Sequence, residues 1–361
     1  MKLLDRYILK RYLVTFLFTL LILIPIAVAI DIAEKIDKFL RNESLTLFEV
    51  VNDYYVNFII YYVNTFMPLA LFIAVILFTS KLANNTEIVA INTSQISFTR
   101  FLYPYFVGAT IITTVALLMN HFFVPSSSKT RRAFEKQYLS RKNYVDNSVR
   151  DFSLQLNDST YVFIKRFNLD RNSGYNFSIE TYNGIQLRSR LISESMGWNK
   201  NDSIFNLYNW KKRKVFKDKD IISSGNNMDT TFAFTPKDFN YKSIVAQEMV
   251  SNELIDFINI SKKRGIKNLN AYYVELYKRT SLPIASYILT LIAVALAYKK
   301  QRGGIGVNLA FGVAVMFIYV FFLKIAQVLG AVADANPLIN VWTPNIIFGI
   351  YAIYLYVNAR K

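Results

Sequence analysis

The side chains best suited to bind a charged ligand are basic residues close to the first apolar run of the chain. Lys35, Lys38 and Arg41 follow that run and alternate with several acidic residues. Such a cluster is either the salt-bridged end of a helix or a basic rim that faces an anionic ligand, to which it would donate charge-assisted hydrogen bonds. The residue pattern leaves both interpretations open.

Lys324 is a second candidate because it lies at the end of an apolar run, and such runs here are almost free of ionisable residues. A lysine in this position can extend its ammonium group to the membrane surface. Alternatively, it pairs with Asp31 or Glu34, or it contacts an anionic ligand.

A third candidate is the segment from Lys81 to Ser97, between the second and third apolar runs. Asn85 or Thr86 can cap a short helix there, with Glu87 in the first turn, where the helix dipole favours a carboxylate. Such a helix would carry Ile88, Ile91 and Gln95 on one face. It is either a docking element for a soluble partner or an ordinary helix at a membrane interface.

Several kinds of chemistry are excluded by what the chain lacks. It has no cysteine, which excludes disulfides, iron–sulfur centres and cysteine nucleophiles. The single histidine, His121, argues against a His-rich metal site or a Ser-His-Asp triad. The phosphate-binding pattern GxxxxGK[ST] is absent, as are GxSxG and HExxH. We therefore expect no catalytic residue, no metal and no cofactor in this chain.

Six apolar runs without a charged residue organise the 361 residues, of which 53% are hydrophobic. Each run is about as long as the roughly 20 residues that a helix needs to cross a bilayer. The runs are Tyr12–Ile30, Tyr54–Ser80, Phe101–Asn120, Ser281–Tyr298, Gly303–Leu323 and Ala335–Ala359. The sequence therefore predicts a membrane α-helical protein with six spans and excludes a soluble enzyme.

The distribution of charge predicts the orientation of these spans. The formal net charge is +17, and basic residues occupy the N-terminus, the C-terminus and the short links after the second and fourth runs. The link after the fifth run contains Asp334 and no basic residue. The positive-inside rule therefore places both termini in the cytoplasm and the long insert between runs three and four outside it.

The insert is predicted to be largely β, as an all-β sandwich or jelly roll. Alternating or β-branched stretches predict strands at Ser159–Asn168, Phe177–Asn183, Ile185–Ile192, Ile204–Trp210 and Thr230–Phe239. Turn signals separate them at 172–174, 183–184, 197 and 223–227. Helices are expected over Ser128–Lys142 and over Ser251–Arg264, with Ser251 as a cap. The predicted division is 1–127 (three spans), 128–246 (β domain), 247–280 (helical connection) and 281–361 (three spans).

Several segments, in this order, resemble the lipopolysaccharide export permeases LptF and LptG, the YjgP/YjgQ family. The matching segments are Leu4–Lys10 (similar to the family's LDRYI), Ile32–Phe39, Glu87–Ser94, Gly265–Tyr272, Arg302–Gly304 and Trp342–Asn345. The first span and the region of Gly265 resemble LptG more than LptF. The sequence departs from the family pattern at Thr93, where alanine is usual, and at Gln95, where glycine is usual.

The resemblance implies a transport subunit without enzymatic activity of its own. It implies a heterodimer with a paralogous permease, above an ATPase dimer (LptB) that uses ATP. The helix of Glu87, Ile88, Ile91 and Asn92 would then dock on the ATPase. Single-span LptC and periplasmic LptA would complete a bridge from the inner membrane of a Gram-negative bacterium, and no nucleic acid would bind.

The implied substrate is lipopolysaccharide, which is anionic at its head group and apolar at its acyl chains. Basic residues at the end of span one, Lys38 above all, would contact the head group, and spans one and five would line an acyl cavity. In the β domain, Tyr161, Phe163 and Phe177 would either contact acyl chains or form an ordinary core. A membrane-anchored scaffold and an exporter of another lipid remain alternative functions.

Overall fold

The fold consists of helices long enough to span a membrane and one inserted β-sheet. The computed structural model describes residues 3–42, 44–139, 148–200, 202–216, 219–236, 243–264, 266, 269–299, 304–332 and 335–360. Within these residues, six helices are long and apolar enough to cross a membrane. Spans one to six are Leu3–Leu40, Leu47–Asn84, Phe98–Leu139, Asn270–Ala297, Gly304–Gly330 and Pro337–Ala359. The predicted membrane α-helical class with an inserted β domain is confirmed.

Span one is longer than the apolar run Tyr12–Ile30 that predicted it. The helix continues through its acidic and basic residues as far as Leu40. An ion pair between Asp31 and Lys35, one helical turn apart, supports this extension. Lys35 and Lys38 therefore lie on the last turns of span one rather than in a link.

Glycines allow the closest contacts between the spans. A Cβ atom on Gly108 of span three would overlap the ring of Tyr12 of span one. A Cβ atom on Gly312 of span five would overlap Ile76 of span two. Because lipid offers no hydrophobic drive between helices, close packing of this kind holds such bundles together.

Spans two and three contain π-helical geometry, span two near its start and span three near its end, where the chain continues into the β insert. We call these ends, together with the neighbouring ends of the other spans, the insert end of the bundle. The π-helical segments are Val50–Tyr55, Met119–Phe123 and Glu135–Leu139. π-helical turns often occur at functional sites, and here they carry Tyr54, His121 and Glu135.

The insert contains one antiparallel sheet in which every strand pairs with its neighbours in sequence, in the order β1-β2-β3-β4-β5-β6. The strands are β1 Ser148–Asn157, β2 Thr160–Asn168, β3 Ser173–Asn183, β4 Gln186–Asn199, β5 Ile204–Val215 and β6 Asp220–Thr230. This order is that of a meander, whereas a jelly roll or a Greek-key sandwich places non-consecutive strands side by side.

The predicted strands between Ser159 and Trp210 are confirmed, as is the hairpin at Asn183-Gly184, where Asn183 pairs with Gln186. Two turn predictions are wrong, because Gly197 lies inside β4 and residues 223–227 lie inside β6. Backbone hydrogen bonds to β5 hold this Ser-, Gly- and Asn-rich stretch in the sheet whatever its side chains. The predicted strand Thr230–Phe239 is also wrong: β6 ends at Thr230, residues 231–236 form no strand, and Phe239 lies outside the described residues.

A transverse crease crosses the sheet. Asp151, Asn176 and Asn209 have left-handed φ angles of 48°, 51° and 52°, and they lie on β1, β3 and β5. The strand pairings next to them align these three residues in one row across the sheet. Asparagine and aspartate tolerate this conformation better than other non-glycine residues. At this row two consecutive residues of β2, Lys165 and Arg166, are both exposed, so the alternation of buried and exposed positions shifts by one.

The β core uses a different set of aromatic residues from the one that the sequence suggested. Phe177 is buried, as expected, but Tyr161 and Phe163 are 43% and 42% exposed. Their neighbours Val162 and Ile164 take the interior positions instead. All four residues from 161 to 164 are apolar, so their pattern does not specify which face is buried.

The chain divides into two compact units. One contains residues 1–140, 247–254 and 270–361, and the other contains residues 141–246 and 255–269.

Within the first unit, hydrogen bonds hold the return segment Gln247–Leu254 against spans three and four. Arg132 donates to Gln247 at 2.5 Å, and Arg279 donates to the Ser251 hydroxyl at 2.8 Å. His121 Nδ1 lies 2.7 Å from the same hydroxyl. The hydroxyl of Ser251, predicted to cap a helix, thus contacts both span three and span four.

We expect Gly108→Ala to destabilise the bundle by about 1–3 kcal/mol, because the added methyl group forces Tyr12 out of its packed position. The melting temperature of the purified protein in detergent measures this effect. Gly349→Ala is the matched control in span six, since its Cβ would meet only Ile288 at 3.8 Å. An equal loss in both variants would mean that the contact between Gly108 and Tyr12 is not tight.

Candidate functional site

The segment between spans two and three forms a short helix, Glu87–Thr93, which we call the connecting helix. Glu87 lies in its first turn, as predicted. Thr86 occupies the N-cap position, but its side chain does not cap the helix and donates instead to the carbonyl oxygen of Asn85 at 2.6 Å. Thr86 has a left-handed φ of 61°, which is a strained conformation for a β-branched residue.

The connecting helix has one face anchored in the bundle and one face exposed. Ile88 is buried in the core of the spans, and Ile91 packs against that core. Asn92 Oδ1 accepts a hydrogen bond of 2.6 Å from the Tyr298 hydroxyl, and partial burial raises the pKa of Tyr298 above its usual value. Ile88 is thus unavailable to a partner, and the exposed surface of the helix lies elsewhere.

That exposed surface includes residues that the sequence analysis did not select. Val89 is 57% exposed, and Ala90 and Thr93 are exposed beside it. The helical period could have identified them, since residues 89, 90 and 93 lie opposite 88 and 91. An exposed valine on a short anchored helix offers a small apolar surface to a protein partner.

Two contacts from the first turns of span one flank the connecting helix. The Tyr7 hydroxyl donates to Glu87 Oε2 at 3.1 Å. Asp5 and Arg100 form a two-pronged ion pair with N–O distances of 2.6 and 2.7 Å. Arg100 lies in the first turn of span three, just beyond the connecting helix.

The connecting helix ends sharply at Gln95, which has a left-handed φ of 57°. This is the conformation that terminates many helices, and glycine is the residue that adopts it at least cost. The chain makes this turn without a glycine. It places a non-glycine residue where the backbone is strained.

At the insert end, Lys35 is part of a buried polar cluster. Its Nζ lies 2.7 Å from Asp31 and 3.8 Å from Glu135, and it also donates to the Tyr54 hydroxyl. Tyr54 is fully buried and donates to Asp31 at 3.0 Å. Arg131 lies over the ring of Tyr61 at 4.5 Å in the same region of the bundle. Lys35 therefore has the contacts of a salt-bridged helix end.

Lys38 and Arg41 behave differently from Lys35. Both side chains are exposed. Neither forms a side-chain ion pair with any residue that the structure describes. These two residues therefore retain the interpretation as a basic rim, because an exposed cation can bind an external anion without breaking an internal contact.

Lys324 lines a cavity of about 160 Å³ at the insert ends of spans two, three, four and five. No ion pair joins Lys324 to Asp31 or Glu34 in the structure, and Lys35 is the partner of Asp31. Lys278 also lines the cavity, but it is bound to Glu275 at 2.7 Å.

The wall of this cavity contains polar groups that need a partner. Among the described residues, the Ser128 hydroxyl and Asn64 Oδ1 are buried and have no hydrogen-bond partner. Burying a polar group without a hydrogen-bond partner costs free energy relative to leaving it in water. Arg279, which is almost fully buried, adds a second cationic side to the cavity. Lys324 and the Ser128 hydroxyl can donate hydrogen bonds to an anionic group, while Arg279, bound to Ser251 and Met249, contributes positive charge.

We expect Gln95→Gly to stabilise the chain by up to about 1 kcal/mol, because glycine adopts positive φ without strain but loses more entropy on folding. Gln95→Val should destabilise it, because a β-branched residue is poorly tolerated at positive φ. The melting temperatures of the two variants in detergent measure these changes in stability. Gln95 is exposed, so neither substitution alters a buried side chain. Equal stability of the two variants would contradict a left-handed residue 95.

Comparison with known proteins agrees with this architecture. The family model for the lipopolysaccharide export system permease LptF/LptG matches residues 6–358. An uncharacterized protein of Aquifex aeolicus is 25% identical over 325 residues, which cover 83% of each chain. The lipopolysaccharide export system permease protein LptG of Escherichia coli K12 is 21% identical over 364 residues, covering 98% of this chain and 97% of the relative. The protein is therefore a multi-pass membrane protein that belongs to the LptF/LptG family of lipopolysaccharide export permeases.

Proposed function

We propose that this chain is a transmembrane subunit of a lipopolysaccharide exporter that is driven by a separate ATPase. In this function it extracts the lipid from the inner membrane and passes it to a periplasmic bridge toward the outer membrane. The observation that carries the proposal is the family match over residues 6–358, together with a helix that is anchored on one face and exposed on the other.

The connecting helix is the proposed docking element for the ATPase. Burial of Ile88 fixes the helix to the bundle, so a push on its exposed face moves the spans instead of bending a loop. Val89 and Ala90 are exposed on that face. Glu87 and Asn92 lie at its edges, each held by a tyrosine hydroxyl. ATP would be bound by the ATPase and not by this chain.

The insert end is the proposed contact for the lipid head group. Lys38 and Arg41 are exposed cations at the end of span one. Lys324 and Arg279 line a cavity whose buried polar atoms favour a hydrogen-bonding ligand. A phosphate group carries both the negative charge and the acceptor oxygens that this set of donors requires. Lys35 would stabilise the local fold through Asp31 rather than bind lipid.

The partners follow from the same proposal. Spans one and five expose large apolar side chains such as Leu21, Phe317 and Phe321, which would line an acyl-chain cavity in a heterodimer with an LptF-like paralogue. An LptB-like ATPase dimer, a single-span LptC-like protein and a periplasmic LptA-like protein complete the proposed system. Both termini would be cytoplasmic and the β domain periplasmic, as the positive-inside rule predicts.

Co-expression with the paralogue and a candidate ATPase, followed by purification through a tag on this chain, tests the proposal. We expect a stoichiometric complex whose ATP hydrolysis responds to lipopolysaccharide. A stable chain recovered without any ATPase would overturn the proposal and favour a membrane-anchored scaffold. A complex that responds to another lipid but not to lipopolysaccharide would overturn the substrate assignment alone.

For the docking helix, we expect Val89→Asp to lower recovery of the ATPase at least tenfold, about 1.4 kcal/mol of binding free energy, because a carboxylate would be buried in an apolar contact. Quantitative immunoblotting of the purified complex measures this recovery. Ile222→Asp is the matched control, since Ile222 is an exposed aliphatic residue of β6. Full recovery with Val89→Asp would exclude this face from the contact.

For the lipid contact, we expect Lys38→Glu and Lys324→Glu each to reduce crosslinking of lipopolysaccharide severalfold, because the new carboxylates repel phosphate. A photoreactive amino acid in place of Leu40, which is 74% exposed, reports the contact in the absence of ATP. Lys299→Glu, an exposed charge reversal at the opposite end of the bundle, serves as the control. Crosslinking that falls equally in all three variants would point to a general effect of net charge.

A further inference from the structure

We propose that the first turns of span one are a clamp that positions the connecting helix, with Asp5 and Tyr7 as its positioning residues. The inference rests on the proposed function, since it concerns how motion at the connecting helix reaches the spans. It assigns roles to two side chains that contact neither the lipid nor the ATPase in that function.

The two contacts of the clamp lie on either side of the connecting helix. Tyr7 holds Glu87 at the start of the helix, with an O–O distance of 3.1 Å. Asp5 holds Arg100, seven residues beyond the end of the helix at Thr93, through two hydrogen bonds. Both positioning residues come from one turn of span one. The connecting helix can therefore move relative to span one only if the contact of Tyr7 breaks or stretches, and the start of span three only if that of Asp5 does.

The contact between Asp5 and Arg100 both holds the two groups together and fixes their relative orientation. The Asp5 side chain is only 2% exposed, whereas that of Arg100 is 37% exposed. A buried carboxylate depends on its cation, because water cannot replace the lost partner. Two parallel hydrogen bonds also fix the relative orientation of the two groups, which a single bond does not.

Span one is built to pass this constraint along its length. Its first half is anchored, with Ile8, Tyr12, Phe16 and Leu20 buried against the other spans. No residue of span one is buried between Leu20 and Asp31. The helix continues through Pro25 to Leu40 and is about 57 Å long at 1.5 Å per residue. The far end of span one is fastened again through Asp31 and Lys35, so a shift at the clamped half acts on their contacts with Tyr54 and Glu135, next to Lys38.

The test measures lipopolysaccharide-stimulated ATP hydrolysis, relative to basal hydrolysis, in the complete complex with the ATPase. Tyr7→Phe removes the hydrogen bond to Glu87, and Asp5→Asn removes the charge and one of the two acceptor oxygens of the ion pair; both keep the shape of the side chain. We expect each to lower the stimulated-to-basal ratio about threefold to tenfold, with the ATPase recovered in full amount. Arg6→Gln is the matched control for charge on the same turn, and Tyr287→Phe is the control for loss of an exposed hydroxyl.

A double-mutant cycle separates positioning from general damage. If the ion pair acts as one unit, Asp5→Asn with Arg100→Gln should lower the ratio no more than the worse single variant. Arg100→Lys, which keeps the charge but not the two-pronged geometry, should recover only part of the coupling. Effects that add in the cycle, or an equal loss in Arg6→Gln, would overturn the clamp.

The possible failures are distinguishable. A wild-type complex with normal stimulation and unchanged ratios in Asp5→Asn and Tyr7→Phe would overturn the clamp and leave the proposed function intact. A wild-type chain that recruits no ATPase would overturn the proposed function, and the clamp with it. If a variant complex is recovered in low amount, the ratio is still measured per bound ATPase, so a structural defect alone does not imitate uncoupling.

Discussion

The need to pair polar side chains inside an apolar bundle is the constraint on which the rest of the structure depends. A polar group buried among the spans can find a partner only within the protein, because lipid offers none. Tyr105 meets Thr79 at 2.9 Å, Asn308 donates to Ser80 at 3.0 Å, and the Tyr319 hydroxyl donates to an asparagine of span six. Each such bond joins two spans and fixes their register, which apolar packing alone leaves free to slide.

The same constraint separates charged residues that are paired inside the fold from charged residues that are exposed. Asp31 binds Lys35 in a buried cluster, so that lysine is committed to the fold. Lys38 lies one turn further along the helix and is exposed, which leaves it available to an external anion. Two lysines of similar sequence context thus differ in exposure and in partners, because only one of them faces span two and the π-helical segment of Tyr54.

In the β domain, too, the local sequence pattern predicts only part of the structure. Strands with regular alternation were predictable, because one face of the sheet is buried and side chains alternate between faces. The crease at Asp151, Asn176 and Asn209 interrupts that alternation, and its left-handed residues have no signature in single strands. The β6 strand escaped prediction for a related reason, since its polar residues owe their strand conformation to backbone pairing with β5.

By itself, the sequence determined the six spans, the inserted β domain, most strands and the position of the connecting helix. It could do so because apolar length and local periodicity reflect interactions between near neighbours in the chain. Only the tertiary structure decided that Ile88 is an anchor, that Val89 is exposed and that Tyr7 and Asp5 hold the two sides of the connecting helix. Those contacts join residues about 80 to 95 positions apart, and no local pattern encodes a partner at that distance.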